Sequence, residues 1–380
     1  MCTTFEDSDA KIEKVFLFHV HSQQDIRNII HQVISRLNLK SGEKVLIKPN
    51  LVCPRSEATT DIRVIEEVVK CLLDKGVDVV LGEGSGFEFD TDKVFKILGV
   101  EKLAKKYDVP LVNLRRAKTV EVEIGGRVLN KISLPIHVIE AKAILNLPKL
   151  KTHRLTKITF AMKNLIGLLP DNERRKAHVF GINQAIVDLN NYLANKNVLT
   201  IGDAIKVMVG RGGPAFGRVF QMDTLIVGQD NVAVDRVACD ILGIDPTEVK
   251  YLKLAQGNLK FSHIEIIGDV RKPQKPVLTA NSNFLYKLAY RFVYVIDYFM
   301  SPIHKTSFIP QIITRIGTRV EIDTNKCNRC GRCIEVCPVN AITRDYKIDF
   351  EKCRYVRCLK CWEICPVDAI KVKGFSKPER

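Results

Sequence analysis

The sequence predicts an α/β fold, in which a mostly parallel sheet carries helices on both faces, followed by a second, much smaller domain that is rich in cysteine. Two observations support this prediction. Apolar, β-branched segments alternate with amphipathic helical segments through residues 1–270, and this alternation is typical of a parallel sheet that is covered on both faces. Eight of the twelve cysteines then lie between Cys327 and Cys365.

Eight segments of the large domain have the length and composition of buried strands. They are Val15–Val20, Lys44–Ile47, Val77–Leu81, Leu111–Leu114, Ala143–Leu147, Val198–Ile201, Thr224–Val227 and Ile264–Ile267. A β-hairpin is predicted over Val120–Leu129, with two glycines at its centre. Apolar periodicity predicts helices over Asp61–Lys75, Ile182–Leu193 and Asn231–Leu242, and a glycine follows the first and the last of them.

The chain divides into a large α/β domain over 1–270, a connector over 271–320 and a small domain over 321–373. Pro273 and Pro276 interrupt regular structure at the start of the connector. The aromatic segment Phe284–Met300 is too short and too charged to span a membrane, so we expect a helix that docks the small domain onto the large one. Its tyrosines and basic residues leave open a minor contact with a membrane surface.

The distribution of cysteines predicts metal ligands rather than disulfide bonds, because disulfide-rich domains are small and dense in cysteine throughout. Cys53, Cys71 and Cys239 are scattered through long globular sequence and are predicted to be buried free thiols. The amino terminus has no basic start followed by an apolar run, so no secretory signal is expected. These features predict a reducing cytoplasm, in an organism or niche where oxygen is scarce.

The small domain contains an internal repeat, in which IDTNKCNRCGRCIEVCPVNAI aligns with IDFEKCRYVRCLKCWEICPVDAI. The first copy has the spacing C-x2-C-x2-C-x3-C-P, in which three close thiolates bind one [4Fe–4S] cluster and the fourth reaches another cluster. We therefore expect a small α+β ferredoxin-like domain that binds two [4Fe–4S] clusters. One cluster would be bound by Cys327, Cys330, Cys333 and Cys365, and the other by Cys353, Cys358, Cys361 and Cys337.

The second copy departs from the usual spacing, because four residues rather than two separate Cys353 from Cys358. A C-x4-C-x2-C run also occurs in plant-type [2Fe–2S] proteins, and four thiolates can also bind zinc. The rest of the copy stays in register with the first, which favours a second cubane with a two-residue bulge in its binding loop.

The formal net charge is +16, and residues 321–373 contain eleven lysines and arginines against eight acidic residues. A positive surface near the clusters favours docking of an acidic electron carrier, such as a ferredoxin or a flavodoxin. The charge is also compatible with a small anionic substrate. Basic residues are spread along the chain rather than run together, so the charge alone does not predict nucleic-acid binding.

Polar residues follow the predicted strands of the large domain at the point where each strand ends. Because the carboxyl ends of parallel strands meet at one edge of the sheet, we predict a substrate site there. Its lysines and histidine would hold an anionic substrate or supply a proton, and its acidic residues would be bases or cation ligands. The first group is Lys48, Lys149, Lys151 and His153, and the second is Asp203 and Glu83.

Several of these motifs also have a plainer interpretation. Gly82–Gly86 is either a phosphate-binding loop or an ordinary turn. The glycine-rich segment 210–218 is either a loop that closes over an anionic substrate or a surface connection. A lone histidine such as His153 or His178 is more often structural, and Lys163-Asn164 would ordinarily lie on the solvated face of a helix.

The large domain resembles the domain-of-unknown-function 362 family over roughly residues 40–260. The motifs that carry the resemblance are KPNLV at 48–52, the pair Thr59-Thr60, GEGSG at 82–86, NLPKLKTH at 146–153, MKNLIG at 162–167, His178, GPAFG at 213–217 and Asp230–Asp235 with the helix that follows. The resemblance implies a cytoplasmic protein of bacteria or archaea, often of anaerobes. It implies no particular activity, because the activity of the family is unknown.

The leading hypothesis is a ferredoxin-type iron–sulfur oxidoreductase, in which electrons enter through the small domain and reduce an anionic substrate at the strand-end site. The alternative is a non-catalytic electron-transfer or assembly partner of another redox enzyme, whose large domain recognises a protein. A third possibility is a non-redox α/β enzyme with purely structural clusters.

Overall fold

The computed structural model describes residues 12–87, 89–153, 155–210, 218–256, 264–272, 292, 294–296, 298–299, 318–335, 337, 339–353, 361–362, 365–367 and 369–374. The chain forms two compact units, Met1–Tyr298 and Phe299–Arg380. They are called here the large unit and the C-terminal unit.

Strands and helices alternate through most of the large unit. Its strands are β1 (Glu13–His19), β2 (Lys44–Pro49), β3 (Asp78–Glu83), β4 (Leu111–Asn113), β5 (Thr119–Glu123), β6 (Lys131–Pro135), β7 (Ala143–Leu147), β8 (Lys149–His153), β9 (Lys157–Thr159), β10 (Asn197–Val209), β11 (Arg218–Gly228) and β12 (Ile264–Ile267). Its helices are α1 (Gln23–Ile34), α2 (Ile62–Asp74), α3 (Thr91–Ile97), α4 (Val100–Lys106), α5 (Ile136–Glu140), α6 (Ala161–Asn164), α7 (Asp171–Phe180), α8 (Ile182–Leu193), α9 (Asn231–Leu242) and α10 (Lys250–Gln256).

The main sheet has ten strands and confirms the predicted fold class. Eight of them follow the order β12-β1-β11-β10-β7-β2-β3-β4, and β8 pairs with β10 and with β9. The strands β10, β7, β2, β3 and β4 run parallel to one another. The exceptions are β11, which is antiparallel to β1 and β10, and the antiparallel pair β8–β9.

Two hydrophobic cores cover the two faces of the sheet. Successive residues of a strand point to opposite faces. Accordingly, Val45 and Ile47 belong to the core formed with α1–α4, whereas Leu46 between them belongs to the core formed with α5–α10. The strands in the middle of the sheet are therefore buried on both sides, which is why they read as continuous apolar runs in the sequence.

All eight predicted strands are present, but the predicted hairpin is displaced. Its strands are β5 and β6, so Leu129 lies in the turn rather than in a strand. The turn is closed by the Ile124 N–H to the Asn130 carbonyl at 2.7 Å, and Gly125 adopts a φ of 66°, which favours glycine. The helix predicted over Asp61–Lys75 is α2, with Asp61 as its N-cap.

The C-terminal unit contains an antiparallel ribbon and one short helix among its described residues. The ribbon pairs β13 (Thr318–Ile322) with β14 (Ile370–Gly374), and the helix is α11 (Arg332–Glu335). Val320, Ala341 and Ala369 are buried and form part of a small core. The strands and the helix agree with the expected α+β architecture.

The described residues of the aromatic segment Phe284–Met300 are helical. Tyr294 is buried in the large unit, where it packs with Phe87 and Val179. No helix within the described part of the chain is long and apolar enough to cross a membrane.

Candidate functional site

Lys48 and Glu83 form a buried ion pair at the carboxyl ends of β2 and β3. The Lys48 Nζ lies 2.8 Å from the Glu83 Oε1 and also donates to the Pro49 carbonyl at 2.7 Å. The Glu83 carboxylate further accepts the N–H groups of Leu51 and Gly84, at 2.8 and 2.7 Å. Burial lowers the pKa of Lys48, whereas Glu83 acts in the opposite direction. The pair therefore anchors the loops that follow both strands.

Lys149 and Asp203 form a second buried pair. The Lys149 Nζ lies 2.8 Å from the Asp203 Oδ2. The same carboxylate accepts the Asp61 N–H at 2.7 Å and the Ile205 N–H at 2.9 Å. Asp203 thus connects an irregular point of β10 to the start of α2, in addition to balancing the charge of Lys149.

Lys151 is buried without a carboxylate partner among the described residues. Its Nζ donates to the Asn50 Oδ1 at 2.8 Å and to the Ala58 carbonyl at 2.6 Å. Burial lowers the pKa of Lys151 to about 7; the nearby Lys163 and Lys149 lower it further, against an opposing effect of the Cys53 thiol. Neutral acceptors hold this amine, and the Glu83 carboxylate offsets its charge without forming an ion pair with it.

Three asparagines join the strand ends into one hydrogen-bonded network. The Asn164 Nδ2 donates to the Asn146 Oδ1 at 2.8 Å, and the Asn50 Nδ2 donates to the Asn164 Oδ1 at 2.9 Å. Asn50 in turn accepts from Lys151. The expectation that Asn164 lies on a solvated helix face is wrong, because Asn164 is only 4% exposed and bridges β2 and β7.

Lys163 lies beside this network and keeps part of its side chain accessible to solvent. No acceptor or carboxylate within the described residues contacts its amine. Burial lowers the pKa of Lys163 to about 7, and the positive charge of Arg174 lowers it further. Lys163 is therefore a second cation without a counter-ion.

Arg174 on α7 is the third such cation. Its Nη1 donates to the Gly84 and Ser85 carbonyls at 2.9 and 2.8 Å, and its guanidinium carbon lies 4.7 Å from the centre of the Phe87 ring. Its Nε is buried and has no acceptor among the described residues. Neutral groups thus fix the position of this guanidinium, whose charge Asp171 and Glu83 offset without forming an ion pair with it.

The loop Gly82–Gly86 is a structural turn rather than a phosphate-binding loop. Three of its backbone N–H groups are used within the protein. They donate from Gly84 to the Glu83 Oε1, from Ser85 to the Thr91 Oγ1 and from Gly86 to the Val52 carbonyl, at 2.7, 3.1 and 2.9 Å. These groups are therefore not available to an anion.

His153 ends β8 and is 7% exposed. Its Nδ1 accepts the N–H groups of Leu155 and Thr156 at 3.1 and 3.4 Å. His178 stacks on Tyr294, with ring centres 4.8 Å apart, and burial lowers the pKa of His178 to about 3. Both histidines thus have structural contacts, in line with the plainer interpretation of a lone histidine.

Sequence reasoning missed Arg174 and the role of Lys163. One signal was present: Arg174 and His178 are four residues apart on α7, and such residues lie on the same face of a helix. Residues 211–217 of the predicted closing loop 210–218 lie outside the described residues, as do Cys358 and Pro338 of the cysteine motifs.

The C-terminal unit brings Cys365 of the second repeat close to the cysteines of the first. Burial raises the pKa of the Cys333 thiol, and the neighbouring thiols of Cys327, Cys330 and Cys365 raise it further. No three His, Cys, Asp or Glu side chains of the described residues are grouped as ligands of a single metal ion.

Equivalent hydrogen bonds in the two repeats support the fit to iron–sulfur clusters. The Cys337 Sγ accepts the Ala341 N–H at 3.1 Å, and the Cys365 Sγ accepts the Ala369 N–H at 3.2 Å. Hydrogen bonds to sulfur are among the factors that set a cluster's potential.

The repeats also exchange backbone bonds. The Asp323 N–H of the first repeat donates to the Ala369 carbonyl of the second, and the Asp349 N–H of the second donates to the Ala341 carbonyl of the first, both at 2.7 Å. Each repeat thus donates one backbone hydrogen bond to the other at an equivalent position.

Together, the fold and the cysteine motif define an iron–sulfur protein with a large α/β unit. Residues 320–343 match the model of a 4Fe-4S binding domain. Residues 45–240 match the model described as "Domain of unknown function (DUF362)". Because this match covers more than half of the chain, the chain belongs to the DUF362 family.

Two curated proteins are similar to parts of the chain. A thylakoid-associated protein of Synechocystis is 28% identical over 228 residues, which cover 56% of this chain and 66% of that protein. An uncharacterized polyferredoxin-like protein of Methanocaldococcus jannaschii is 53% identical over 30 residues, 8% of this chain and 18% of that protein. The chain thus spans slightly less than two thirds of the first relative.

Two solved structures show a distant likeness. One is a protein from Thermotoga maritima, with a TM-score of 0.40 and 14% identity, over 65% of this chain and 61% of the other. The second is a lactate racemase apoprotein from Thermoanaerobacterium thermosaccharolyticum, with a TM-score of 0.40 and 15% identity, over 64% and 60%.

Proposed function

We propose that the protein is an oxidoreductase that uses two [4Fe–4S] clusters to reduce an anionic substrate at the strand-end site of the large unit. Lys151, Lys163 and Arg174 carry the proposal, because these three neighbouring cations have no carboxylate partner among the described residues. Uncompensated buried charge is costly, so such a cluster is expected where an anion binds.

The clusters would supply one-electron transfer when bound. The proposed ligands are Cys327, Cys330, Cys333 and Cys365 for one cluster, and Cys353, Cys358, Cys361 and Cys337 for the other. An acidic ferredoxin or flavodoxin is the proposed reductant, since the C-terminal sequence carries an excess of basic residues. Two electrons from the carrier would then reduce one substrate molecule.

Reduction by two electrons requires two protons. We assign the first to the Lys163 ammonium, because a pKa of about 7 suits proton transfer at neutral pH and the side chain is accessible. The second comes from solvent. Lys48 and Lys149 then act by holding the loops and strands in place, through their pairs with Glu83 and Asp203.

The test is reoxidation of the reduced protein. The full-length protein is purified without oxygen, reduced with dithionite and mixed with pools of anionic metabolites, while the visible absorbance of the clusters is followed. We expect reoxidation by a small anion in the parent protein, much slower reoxidation in Lys163→Met, and no change in Lys102→Met, which removes the same charge from an exposed site on α4.

Reoxidation that is equally fast in Lys163→Met would contradict the assignment of the site. Clusters that respond only to a protein carrier, and to no small anion, would favour the non-catalytic electron-transfer partner instead.

A further inference from the structure

We propose that Lys151, Lys163 and Arg174 bind a compact tetrahedral dianion, so that the substrate of the large unit is a phosphate monoester or a compound of the same charge and shape. This inference rests on the proposed function, because it assigns the same site a substrate class. It depends on three features of the site: a positioned guanidinium, nearby carboxylates that are already paired, and three cationic side chains without an ion-pair partner among the described residues.

Arg174 is positioned before any ligand binds. The Gly84 and Ser85 carbonyls hold its Nη1, and the Phe87 ring lies against the guanidinium. Its buried Nε has no acceptor among the described residues, although an unpaired buried donor is costly. A planar guanidinium fixed in this way is suited to an oxyanion, to which it donates from more than one nitrogen.

The carboxylates near these cations are bound to other groups. Glu83 is paired with Lys48 and accepts two N–H groups. Asp203 is paired with Lys149. Asp171 makes a two-point contact with Arg115, at 2.6 and 2.9 Å. Glu83 and Asp171 partly offset the charge of Arg174, and Glu83 that of Lys151. None of the three carboxylates forms an ion pair with Lys151, Lys163 or Arg174, so an anionic ligand would supply the partner that these cations lack.

The number of cationic side chains favours a doubly charged ligand. Lys151, Lys163 and Arg174 are three such groups, and none of them has an ion-pair partner among the described residues. Burial lowers the pKa of Lys151 and of Lys163 to about 7, so these amines take up protons when an anion binds beside them, whereas Arg174 stays charged. A monocarboxylate brings one negative charge, whereas a phosphate monoester brings nearly two on one compact group.

Lys163 is the member of the cluster that solvent can reach. The titratable and charged groups that face it are Arg174 and His178 on α7 and Lys151 on β8. His178 stays neutral at physiological pH because burial lowers its pKa to about 3. These groups around Lys163 are cationic or neutral, which favours an anionic ligand.

Calorimetric titration of the full-length holoprotein with simple anions tests the proposal. Inorganic phosphate, sulfate and succinate are compared at constant ionic strength. We expect saturable binding of phosphate and sulfate, with succinate at least tenfold weaker because its two charges are separated. Lys163→Met and Arg174→Gln should each weaken sulfate binding at least tenfold, whereas Lys102→Met should leave it unchanged.

Proton uptake gives a second measurement, which a purely structural role of Lys163 would not affect. At pH 8 the binding of sulfate should draw protons onto the two amines, and Lys163→Met should remove about one proton of this uptake. Titrations in buffers of different ionisation enthalpy report the number of protons.

Absence of saturable sulfate binding, or tighter binding of succinate, would overturn the proposal. These results are distinct from failure of the proposed function. A non-phosphorylated anion that reoxidises the clusters through Lys163 would preserve the redox function while rejecting the dianion.

Discussion

The Lys48 ammonium and the Glu83 carboxylate lie 2.8 Å apart at the ends of neighbouring parallel strands, and their side chains are 0% and 3% exposed. The same strand β2 carries a second pair at the same distance, between Lys44 and Glu140, whose side chains are 53% and 41% exposed. The distance is thus equal in the two pairs, whereas the access of water differs greatly.

This comparison predicts unequal costs of removing a lysine. Lys48→Met should lower the free energy of unfolding by roughly 3–5 kcal/mol, because it leaves the Glu83 charge buried without its partner. Lys44→Met should cause little measurable change, because an exposed ion pair contributes little in water. Urea unfolding of both variants measures the difference, and equal losses would contradict it.

The asparagine network gives a second prediction. Asn164→Ala leaves the Asn50 Nδ2 and the Asn146 Oδ1 without their partner, and each unsatisfied buried group costs about 1–3 kcal/mol. Asn28→Ala is the matched control, because Asn28 accepts a hydrogen bond of similar length, 2.8 Å, from the Gln24 side chain at an exposed site. We expect a loss of several kcal/mol in the first variant and under about 0.5 kcal/mol in the second. Similar thermal midpoints of unfolding for the two variants would show that the asparagine network does not stabilise the fold.

The sequence predicted the sheet well and the chemistry of its edge only in part. Apolar periodicity identified the strands, and the chain order placed Lys48 and Glu83 at strand ends, where they are found. The position predicted for Asp203 is wrong, because β10 continues past Ile201 to Val209 and Asp203 lies inside it. Strand β8 was missed because Lys149 and Lys151 look like loop residues. Their burial depends on Asp203 and Asn50, which are far away in the chain. Local pattern carries no information about such distant partners.

Asp235 predicts a dependence of stability on pH. It is fully buried, accepts the Ala161 N–H at 2.6 Å and the Tyr251 hydroxyl at 2.9 Å, and burial raises its pKa to about 7. A pKa raised on folding stabilises the protein at low pH, and this contribution is lost as the pH rises through 7. The free energy of unfolding of the parent protein should therefore fall, relative to Asp235→Asn, by up to about 4 kcal/mol between pH 4 and pH 8.

Tyr251→Phe provides the control for this effect. The Tyr251 hydroxyl lowers the pKa of Asp235, so its removal should shift the loss of stability to higher pH. Unfolding curves recorded over the pH range give both results. A difference between the parent protein and Asp235→Asn that does not change with pH would mean that Asp235 keeps its charge throughout.

The exchange of contacts between the cysteine repeats leads to the sharpest prediction about cluster binding. If Cys365 completes the cluster of Cys327, the double variant Cys327→Ser/Cys365→Ser damages one cluster only and retains about half of the iron. Cys327→Ser/Cys353→Ser damages both clusters. The first double variant should therefore keep the EPR signal of one reduced [4Fe–4S] cluster, and the second should lose both signals.

In an uncrossed arrangement, the four cysteines of each repeat bind one cluster, and two of the double variants give different results. Cys327→Ser/Cys337→Ser would then spare one cluster, whereas Cys327→Ser/Cys365→Ser would lose both. The proximity of Cys365 to Cys333, and the bonds from Asp323 to Ala369 and from Asp349 to Ala341, favour the crossed arrangement. Iron content and EPR of the three double variants, each reconstituted under the same conditions, decide between the two arrangements without knowledge of the substrate.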